Sequence, residues 1–403
     1  MHGKIYDQNM LRVEKADNDF VDWYEVTSDN FDIYGLVPEN DGVLTRRIPL
    51  EIAEKVSPGV SGQSGYGAGG RIVFLTNSPF VALRIEYGSG AVPTVCNHCF
   101  SYGFDLYKFC DEKDVFVGTY RPASDFDFRF AEFKVQTRND GETICYTLNM
   151  PHFAEIKKLY IGLEKGSYLG KRKKYRNSKP IVFYGSSITH GAAAGRPGNT
   201  YENFISQKYN LDYINLGFSG NAKAETAMAE YIAGLDMCLF VCDYDHNAPD
   251  VQHLMDTHYR LYEIIREKHP HIPYIMISKP DYFTNPKENF ERRKVILESY
   301  NKAIAAGDKN VYFIDGESLF EGEFYESCTS DGCHPNDIGF YRMAKKIGAV
   351  IAEVLVDKKI WKCGFQIHIF LANNPKLNEN PSPYENGFSI VLFTIHFSSF
   401  NIH

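Results

Sequence analysis

Two serines that could carry out acyl chemistry follow the apolar segment Ile181–Phe183, in the stretch Tyr-Gly-Ser-Ser-Ile-Thr-His-Gly. An apolar run that stops at a turn of small residues predicts a strand end, where a serine hydroxyl lies beside an unpaired backbone N–H. These two groups are a nucleophile and an oxyanion donor, both of which acyl transfer requires. A candidate base lies far downstream, where Asp331 precedes His334 by three residues. One turn of chain can therefore hold a carboxylate next to an imidazole, the side chain best suited to general base catalysis near neutral pH.

The elements that must position these residues alternate between strand and helix from residue 181 to about residue 355. The predicted strands are Ile181–Tyr184, Tyr213–Leu216, Cys238–Cys242, Tyr274–Ser278 and Val311–Ile314. The predicted helices are Tyr201–Tyr209, Ala222–Ile232, Val251–Lys268, Lys287–Ala306 and Asn336–Leu355. This alternation implies an α/β fold with a doubly wound, mostly parallel five-stranded sheet and helices on both faces. Ligands of such sheets bind at the carboxyl ends of the strands, which is where the serine turn lies.

The preceding residues 20–164 have a different pattern, with short segments rich in β-branched and aromatic residues between glycine-rich turns. Few helical patterns interrupt them, so we expect an all-β sandwich domain. A basic segment at residues 165–180 follows, and we interpret it as a solvated linker rather than a site for an anionic ligand. Residues 1–19 then form a lead-in, residues 181–356 the second domain, and residues 357–403 a tail whose structure the sequence leaves open.

The bulk composition limits the classes of function. A chain of 403 residues is long enough for two domains, and its formal charge of −8 disfavours a general nucleic-acid binder. No run of about eighteen apolar residues occurs, so we expect no membrane-spanning helix and no membrane partner. A polar start without a signal-peptide core and nine scattered cysteines favour a cytoplasmic location, although a mature secreted chain would have the same pattern.

Four blocks in the second half of the chain resemble those of the SGNH hydrolases, also called GDSL-type esterases, and they occur in the same order. The blocks are Gly185–Thr189, Asn215–Asn221, Cys242–Asn247 and Asp331–Pro335. The family usually has aspartate at the position of Ser186, which is not a member of the catalytic set. The resemblance implies the SGNH hydrolase fold and the hydrolysis of a carboxylic ester through an acyl-enzyme.

The resemblance also implies a role for each matching residue. Ser187 is the expected nucleophile, His334 the expected base, and Asp331 the carboxylate that orients the imidazole. The backbone N–H groups of Ser187 and Gly217, together with the side-chain amide of Asn247, are the expected oxyanion hole. The family chemistry implies no cofactor and no metal.

A further motif, Gly103-Phe104-Asp105-Leu106-Tyr107, resembles the GxDLY motif of a β-sandwich domain that precedes SGNH hydrolase domains in a bacterial family. Members of that family are expected to act on acylated carbohydrates. We interpret the motif residues as structural, with a place in the cleft between the domains as the alternative.

Two clusters could be interpreted as parts of metal sites, but we favour simpler roles. The first cluster is expected to hydrogen-bond locally at a strand end, and it consists of Asp243, Asp245 and His246. The second has the spacing of half a zinc site, with Cys96, Cys99 and the more distant Cys110. A single CxxC pair is a weak signal, so free thiols in a β-hairpin region are the preferred interpretation.

The function that the sequence favours is an esterase that removes a small acyl group, expected to be acetyl, from a carbohydrate. Its partner would be a small-molecule or oligosaccharide ester, and four tyrosines could stack on sugar rings: Tyr184, Tyr201, Tyr244 and Tyr282. Two alternatives stay open. One is an acyltransferase that uses the same acyl-enzyme, and the other is a carbohydrate-binding protein with a vestigial hydrolase site.

Overall fold

The computed structural model describes residues 18–37, 41–111, 113–122, 130–137, 139–172, 174–280 and 285–356. Residues 1–17 of the lead-in, the whole tail 357–403 and Tyr282 lie outside the described residues. Within the described ranges, none of the helices combines the length and the apolar character needed to cross a membrane.

Two antiparallel sheets make up most of the N-terminal part of the chain. The strands are β1 (Val21–Glu25), β2 (Asp32–Tyr34), β3 (Arg71–Thr76), β4 (Phe80–Gly90), β5 (Phe104–Cys110), β6 (Lys113–Tyr120), β7 (Phe130–Gln136), β8 (Ile144–Asn149), β9 (Ala154–Glu164) and β10 (Leu169–Gly170). One sheet has the order β1-β9-β4-β7, and the other has the order β10-β3-β8-β5-β6 with β2 paired to β3. Apolar residues of both sheets, among them Phe74, Leu83 and Leu148, belong to one buried cluster. The predicted β-sandwich is confirmed.

Helices also occur in this part of the chain, and the all-β prediction missed them. Helix α1 (Leu50–Val56) is followed directly by α2 (Pro58–Gln63), and α3 (His98–Ser101) lies just before β5. Pro58 occupies the first turn of α2, where a missing N–H is tolerated, and Ser57 caps the helix. Ala53 and Val60 are buried in one cluster with residues of the second domain. These short helices are therefore stabilised by tertiary packing, which no local pattern reveals.

The second domain contains a parallel sheet with the strand order β12-β11-β13-β14-β15. The strands are β11 (Ile181–Gly185), β12 (Tyr213–Gly217), β13 (Leu239–Asp243), β14 (Tyr274–Ile277) and β15 (Val311–Ile314). The helices are α4 (Ser187–His190), α5 (Tyr201–Tyr209), α6 (Thr226–Gly234), α7 (Val251–Lys268), α8 (Pro286–Ala305) and α9 (Asp337–Val356). Because β12 and β13 flank β11, the carboxyl ends of these three strands lie side by side, at the point where the strand order reverses.

Alternate residues of β11 belong to different buried layers. Val182 and Tyr184 are clustered with residues of α6, α7 and α8, whereas Ile181 and Phe183 are clustered with residues of α5 and α9. All four side chains are buried, which explains why the strand reads as a continuous apolar run. The predicted doubly wound α/β fold, preceded by a β-sandwich, is therefore confirmed.

The basic segment between the two sheets is partly buried rather than fully solvated. Strand β10 lies within it and pairs with β3. Lys174 is buried, and its Nζ lies 2.8 Å from both carboxylate oxygens of Asp114. The buried ammonium group of Lys174 is tolerated because the carboxylate of Asp114 pairs with it. The interpretation of residues 165–180 as a solvated linker is therefore wrong for Lys174, and the exact domain boundaries stay predictions.

Candidate active site

Ser187 lies where β11 ends and α4 begins. Ser186 is the N-cap residue of α4, and its Oγ accepts a hydrogen bond from the Ile188 N–H at 3.2 Å. Serine and aspartate are both good N-cap residues, so Ser186 can take the capping role of the usual aspartate. Ser187 is then the first residue of the helix, a position whose backbone N–H has no intrahelical acceptor.

The structure brings three of the predicted side chains into a series of hydrogen bonds. Ser187 Oγ lies 2.9 Å from His334 Nε2, and His334 Nδ1 lies 2.8 Å from Asp331 Oδ2. The other carboxylate oxygen, Oδ1, accepts the backbone N–H groups of Cys333 and His334 at 3.0 and 2.7 Å. An ionised carboxylate at this position favours a proton on Nδ1 of the imidazole. Nε2 is then free to accept the proton of Ser187.

The hydrogen bonds also keep Asp331 ionised. Desolvation alone would raise the pKa of Asp331, but the hydrogen bonds from His334 and Cys333 outweigh it and lower that pKa below its ordinary value. The carboxylate is thus available to stabilise a positively charged imidazole beside it, which is the electrostatic requirement for a histidine that takes up a proton.

Asn247 follows the end of β13 and lies at the same cavity as Ser187, and the oxyanion role of these two residues stays a prediction. Asn247 ends a short 3-10 helix, Asp245–Asn247, that directly follows β13. Its Oδ1 accepts the Ala222 N–H at 3.2 Å, which orients the amide and leaves Nδ2 without an acceptor among the described residues. Ser187, Asn247 and His334 line the same cavity.

The prediction that Gly217 donates to the oxyanion is wrong. Its N–H already donates to Asn215 Oδ1 at 2.9 Å. A Cβ at Gly217 would lie 2.1 Å from His190 N, so this glycine is needed for close packing against α4 and leaves no room for a substrate. Strand β12 extends one residue further than the sequence predicted, and this extension takes Gly217 into the interior.

Gly220 is a candidate donor that the sequence analysis did not name. It lies in the turn after β12, closed by a hydrogen bond from Asn221 N to Phe218 O at 2.8 Å. Its φ of 71° is the left-handed conformation that glycine favours, and a Cβ there would meet open space. Gly220 lines the cavity together with Ser187, and its N–H has no acceptor among the described residues. The small-residue turn Ser219-Gly220-Asn221 was the available signal.

Two residues of the N-terminal part of the chain donate hydrogen bonds to backbone oxygens at the end of β12 and in the turn that follows it. Arg47 is buried and donates from Nη1 to Gly217 O at 2.7 Å and to Asn215 O at 3.1 Å. Gln63 Nε2 donates to Ser219 O at 2.9 Å. Desolvation lowers the pKa of Arg47 to about 9, so the guanidinium is still charged at neutral pH. Arg47 lies 170 positions before Gly217, and no local pattern could have indicated this contact.

A cavity of about 400 Å³ opens over Ser187, and we call it the Ser187 cavity. Its remaining lining is mostly amides and charged groups, contributed by Ser219, His246, Lys279, Asn285, Glu288, Asn289, Arg292 and Cys333. A larger concavity of about 610 Å³ lies around His271 and Asp308, close to the residues that precede β15. That surface is at the amino end of the strands. Since parallel sheets bind ligands at their carboxyl ends, the Ser187 cavity is the candidate substrate site.

Three of the tyrosines considered for sugar stacking lie in the core instead. Tyr184 and Tyr201 are 0% exposed and Tyr244 is 1% exposed. The Tyr184 hydroxyl accepts the Ala224 N–H at 2.8 Å, and the Tyr244 hydroxyl lies 2.7 Å from Thr257 Oγ1. The expectation that these rings contact a sugar is therefore wrong.

The cluster Asp243, Asp245 and His246 could hold a cation, because its potential ligand atoms lie within 4.8 Å of one another. One oxygen of each carboxylate accepts a hydrogen bond from a distant segment: Asp243 Oδ2 from Thr189 Oγ1 at 3.3 Å, and Asp245 Oδ2 from Lys279 N at 3.1 Å. The expectation that these carboxylates hydrogen-bond locally is therefore wrong. Desolvation raises the pKa of Asp245 to about 6, and the nearby positive charges of Arg292 and Lys279 oppose that rise. Those two positive charges also disfavour a further cation beside them.

The cysteines considered for zinc have thiols that are not in disulfides. Cys96, Cys99 and Cys110 are free thiols, as preferred. Cys99 lies on α3 rather than in a hairpin, and Asn97 caps that helix by accepting the Phe100 N–H at 2.9 Å. The Cys-Asn-His-Cys sequence is thus partly explained by helix capping.

Comparison with known proteins finds matches for both parts of the chain. The chain matches the GDSL-like lipase/acylhydrolase family over residues 178–352 and the N-terminal domain of SGNH-hydrolase-type esterases over residues 21–169. A solved protein from Bacteroides ovatus, named as a GDSL-like lipase, is 28% identical, with 83% of this chain and 98% of that chain covered and a TM-score of 0.75. No curated protein sequence matches the chain.

Two more distant structures share the fold. The salicylyl-acyltransferase SsfX3 from a tetracycline biosynthetic pathway is 23% identical, with 83% of this chain and 98% of that chain covered and a TM-score of 0.68. A family two carbohydrate esterase from Clostridium thermocellum, in complex with cellohexaose, is 14% identical, with 72% of this chain and 93% of that chain covered and a TM-score of 0.53.

A parallel sheet with this strand order, preceded by a β-sandwich, defines an SGNH-type hydrolase architecture. Residues 178–352 belong to the GDSL-like lipase/acylhydrolase family, and the part of the chain before them has the N-terminal domain of SGNH-hydrolase-type esterases.

Proposed function

We propose that this protein is a serine esterase that removes a small acyl group, in the simplest case acetyl, from a hydroxyl group of a carbohydrate. The observation that carries the proposal is the hydrogen-bonded series Ser187–His334–Asp331 at the edge of the Ser187 cavity. The three residues whose N–H groups are the candidate oxyanion donors, Ser187, Gly220 and Asn247, come from separate segments and line the same cavity.

In the acylation step, Ser187 Oγ attacks the ester carbonyl carbon while its proton passes to His334 Nε2. The carbonyl electron pair moves onto oxygen, and the oxyanion accepts hydrogen bonds from Ser187 N, Gly220 N and Asn247 Nδ2. When the tetrahedral intermediate collapses, the bond to the leaving oxygen breaks and the imidazolium returns its proton to that oxygen. The alcohol leaves, and the acyl group stays on Ser187.

In the deacylation step, water takes the place of the alcohol. His334 Nε2 accepts a proton from the water as its oxygen attacks the acyl carbon, and the same three donors hold the second oxyanion. Collapse breaks the bond to Ser187 Oγ, which takes the proton from His334. A carboxylic acid leaves and the enzyme is restored, with Asp331 balancing the imidazolium charge in both steps.

The character of the cavity supports a polar alcohol as the leaving group. Its lining is mostly amide, hydroxyl and charged side chains, which suit a ligand rich in hydroxyl groups better than a long acyl chain. The fold is shared with a carbohydrate esterase that was solved with cellohexaose bound, which gives the sugar proposal further support.

Turnover of p-nitrophenyl acetate by three versions of the protein tests the proposal. We expect Ser187→Ala to lower kcat at least roughly 10⁴-fold, because no other group supplies the attacking oxygen. Ser186→Ala is the matched control: it removes the same hydroxyl one residue away and costs only the N-cap, about 1 kcal/mol of stability. Equal activity of wild type and Ser187→Ala would refute the proposal, and loss of activity only in Ser186→Ala would transfer the role to Ser186. A screen of acetylated mono- and oligosaccharides with the wild type then tests the substrate class.

The likeness to a salicylyl-acyltransferase favours one second candidate, an acyltransferase with the same acyl-enzyme. In that case an alcohol rather than water attacks the acyl group on Ser187. Product analysis with excess sugar acceptor separates the two, because a transferase yields a new ester while a hydrolase yields free acid. Labelling of Ser187 by a fluorophosphonate would exclude a binding protein with a vestigial site.

A further inference from the structure

The GxDLY motif of the first domain lies outside the group of residues that carry the proposed chemistry. Leu106 is fully buried in the sandwich core. Gly103 permits close packing, since a Cβ there would lie 2.3 Å from Cys99 O. Asp105 and Tyr107 are two residues apart on β5 and so share the opposite face, which meets the second domain. One face of the motif therefore packs in the core of the sandwich, and the other face contacts the second domain.

Asp105 is a fully buried carboxylate that is bound mainly by the second domain. Its Oδ2 accepts Arg196 Nη1 at 2.7 Å and Gly198 N at 2.8 Å, and its Oδ1 accepts Asn149 Nδ2 at 2.7 Å. The Tyr107 hydroxyl hydrogen-bonds to the same Arg196. A buried carboxylate with charge-assisted hydrogen bonds holds its partners in one geometry, because each lost bond leaves a charge unpaired.

The contact leaves no space for a larger residue at position 198. A Cβ at Gly198 would lie 2.6 Å from the Tyr107 hydroxyl and 2.7 Å from Asp105 Oδ2. The guanidinium of Arg196 lies 4.2 Å from the centre of the Phe116 ring, which adds a cation–π contact from β6. The segment around Arg196 and Gly198 is thus tightly fitted to the sandwich.

This segment belongs to residues 192–199, which join α4 to α5 and which we call the 192–199 loop. At its start, Ala192 N donates to Ser187 O at 2.9 Å. On its other side, Gly195 N and Asn199 Nδ2 donate to the two carboxylate oxygens of Asp337, at 2.7 and 2.8 Å. Asp337 is the first residue of α9 and follows His334 by three positions. The loop therefore touches the helix that carries Ser187 and the segment that carries His334.

We propose that the GxDLY motif is a positioning element of the active site, in which Asp105 and Tyr107 fix the 192–199 loop and the loop sets His334 relative to Ser187. The inference rests on the proposed esterase function for its kinetic consequence, whereas the effect on the loop is independent of it. Ser187 and His334 are 147 positions apart, so their 2.9 Å contact depends on whatever holds the two segments together. A misplacement of about 1 Å can lower a rate roughly 10²-fold.

Asp105→Asn tests the proposal, because it keeps the size of the side chain and removes the charge that binds Arg196. We expect kcat for p-nitrophenyl acetate to fall roughly 10–100-fold with little change in KM, since the loop does not line the Ser187 cavity. Asp114→Asn is the matched control. It is the same substitution in another buried ion pair of the same sheet, with Lys174 as the partner, and Asp114 bonds to no residue of the loop. We expect Asp114→Asn to lower the melting temperature but to keep the wild-type kcat.

Hydrogen–deuterium exchange on the unliganded protein gives a readout that does not depend on activity. We expect faster exchange of residues 192–199 in Asp105→Asn than in wild type or in Asp114→Asn. If wild type has no Ser187-dependent turnover, the esterase proposal fails, while the exchange comparison still decides the role of the motif.

Three results would overturn the inference: wild-type kcat in folded Asp105→Asn, equal losses of kcat in the two Asp→Asn variants, or unchanged exchange in the loop. If Asp105→Asn does not fold, Tyr107→Phe removes only the hydroxyl contact to Arg196 and is measured in the same way. A smaller fall in kcat with faster loop exchange is then expected, and wild-type values of both would overturn the inference.

Discussion

Replacement of Asn247 gives the sharpest test of the oxyanion hole. Its Oδ1 is held by the Ala222 N–H, so Asn247→Ala removes the free Nδ2 donor from the Ser187 cavity. Loss of one such donor lowers kcat by roughly 10²–10³-fold, or about 3–4 kcal/mol of transition-state stabilisation. KM is expected to change much less, because the oxyanion develops only after Ser187 attacks. Steady-state kinetics with p-nitrophenyl acetate measure both constants.

Asn247→Asp refines the prediction, since aspartate can still accept the Ala222 N–H but places a negative charge where the donor was. Two like charges about 4 Å apart repel by about 4 kcal/mol at an effective dielectric constant of 20. We therefore expect Asn247→Asp to be slower than Asn247→Ala. The matched control is Asn285→Ala, in which an amide of the same cavity is removed that already donates to Glu288 Oε2 at 2.7 Å.

The control variant is expected to keep kcat within a few-fold of wild type, since its amide is already engaged. A kcat for Asn247→Ala close to that of wild type would refute the reasoning. A faster rate for Asn247→Asp than for Asn247→Ala would do so as well, because it would show that no negative charge develops near this side chain.

Two further predictions concern stability. Burial against Tyr244 lowers the pKa of His258 to about 4. The folded state thus binds fewer protons than the unfolded state below the ordinary histidine pKa of about 6.5, and stability is lost as the pH falls from 6.5 to 4, by on the order of 1 kcal/mol per pH unit. His258→Phe should therefore flatten this part of the pH profile in urea unfolding, and an unchanged slope would contradict the assignment. Lys174→Met should destabilise the protein by about 3–5 kcal/mol, because it leaves the buried carboxylate of Asp114 unpaired. The double variant Lys174→Met/Asp114→Leu should recover most of the lost unfolding free energy in urea unfolding, because no unpaired charge is then left buried. A double variant as unstable as Lys174→Met would argue that the unpaired carboxylate is not the cause of the loss.

The sequence pattern was sufficient to predict a helix or strand wherever its buried residues recur at a regular spacing along the chain. Helices α5 and α7 begin and end as predicted, and the predicted strands of the second domain match β11 to β15 within one residue at each end. The reason is that each strand is buried on both faces and each helix on one stripe, so the apolar pattern is strong. The pattern also predicted that Ser187 lies at the carboxyl ends of the strands.

The same patterns failed wherever the outcome depended on a partner distant in sequence. Gly217 and Gly220 both lie in a small-residue stretch. Only the structure shows that the Gly217 N–H donates to Asn215, whereas the Gly220 N–H has no acceptor in the part of the chain that the structure describes. The tyrosines in the core could not be separated from surface tyrosines by type alone, since Tyr184 and Tyr201 bury their rings and still satisfy their hydroxyls. Helices α1 and α2 could not be predicted from local sequence, because they are stabilised by packing against the second domain.

The sequence by itself indicated the α/β architecture, the preceding sandwich and the candidates Ser187, Asp331 and His334, because spacing and hydrophobic period are local properties. The family followed from the resemblance of its short motifs, which are local as well. The catalytic roles of these three residues stay predictions. Only the tertiary structure decided which residues line the Ser187 cavity, and only it connected Asp105 of the sandwich to the 192–199 loop. Contacts of that kind join segments about ninety positions apart, and the free energy of such a contact depends on burial and geometry that no local stretch of sequence contains.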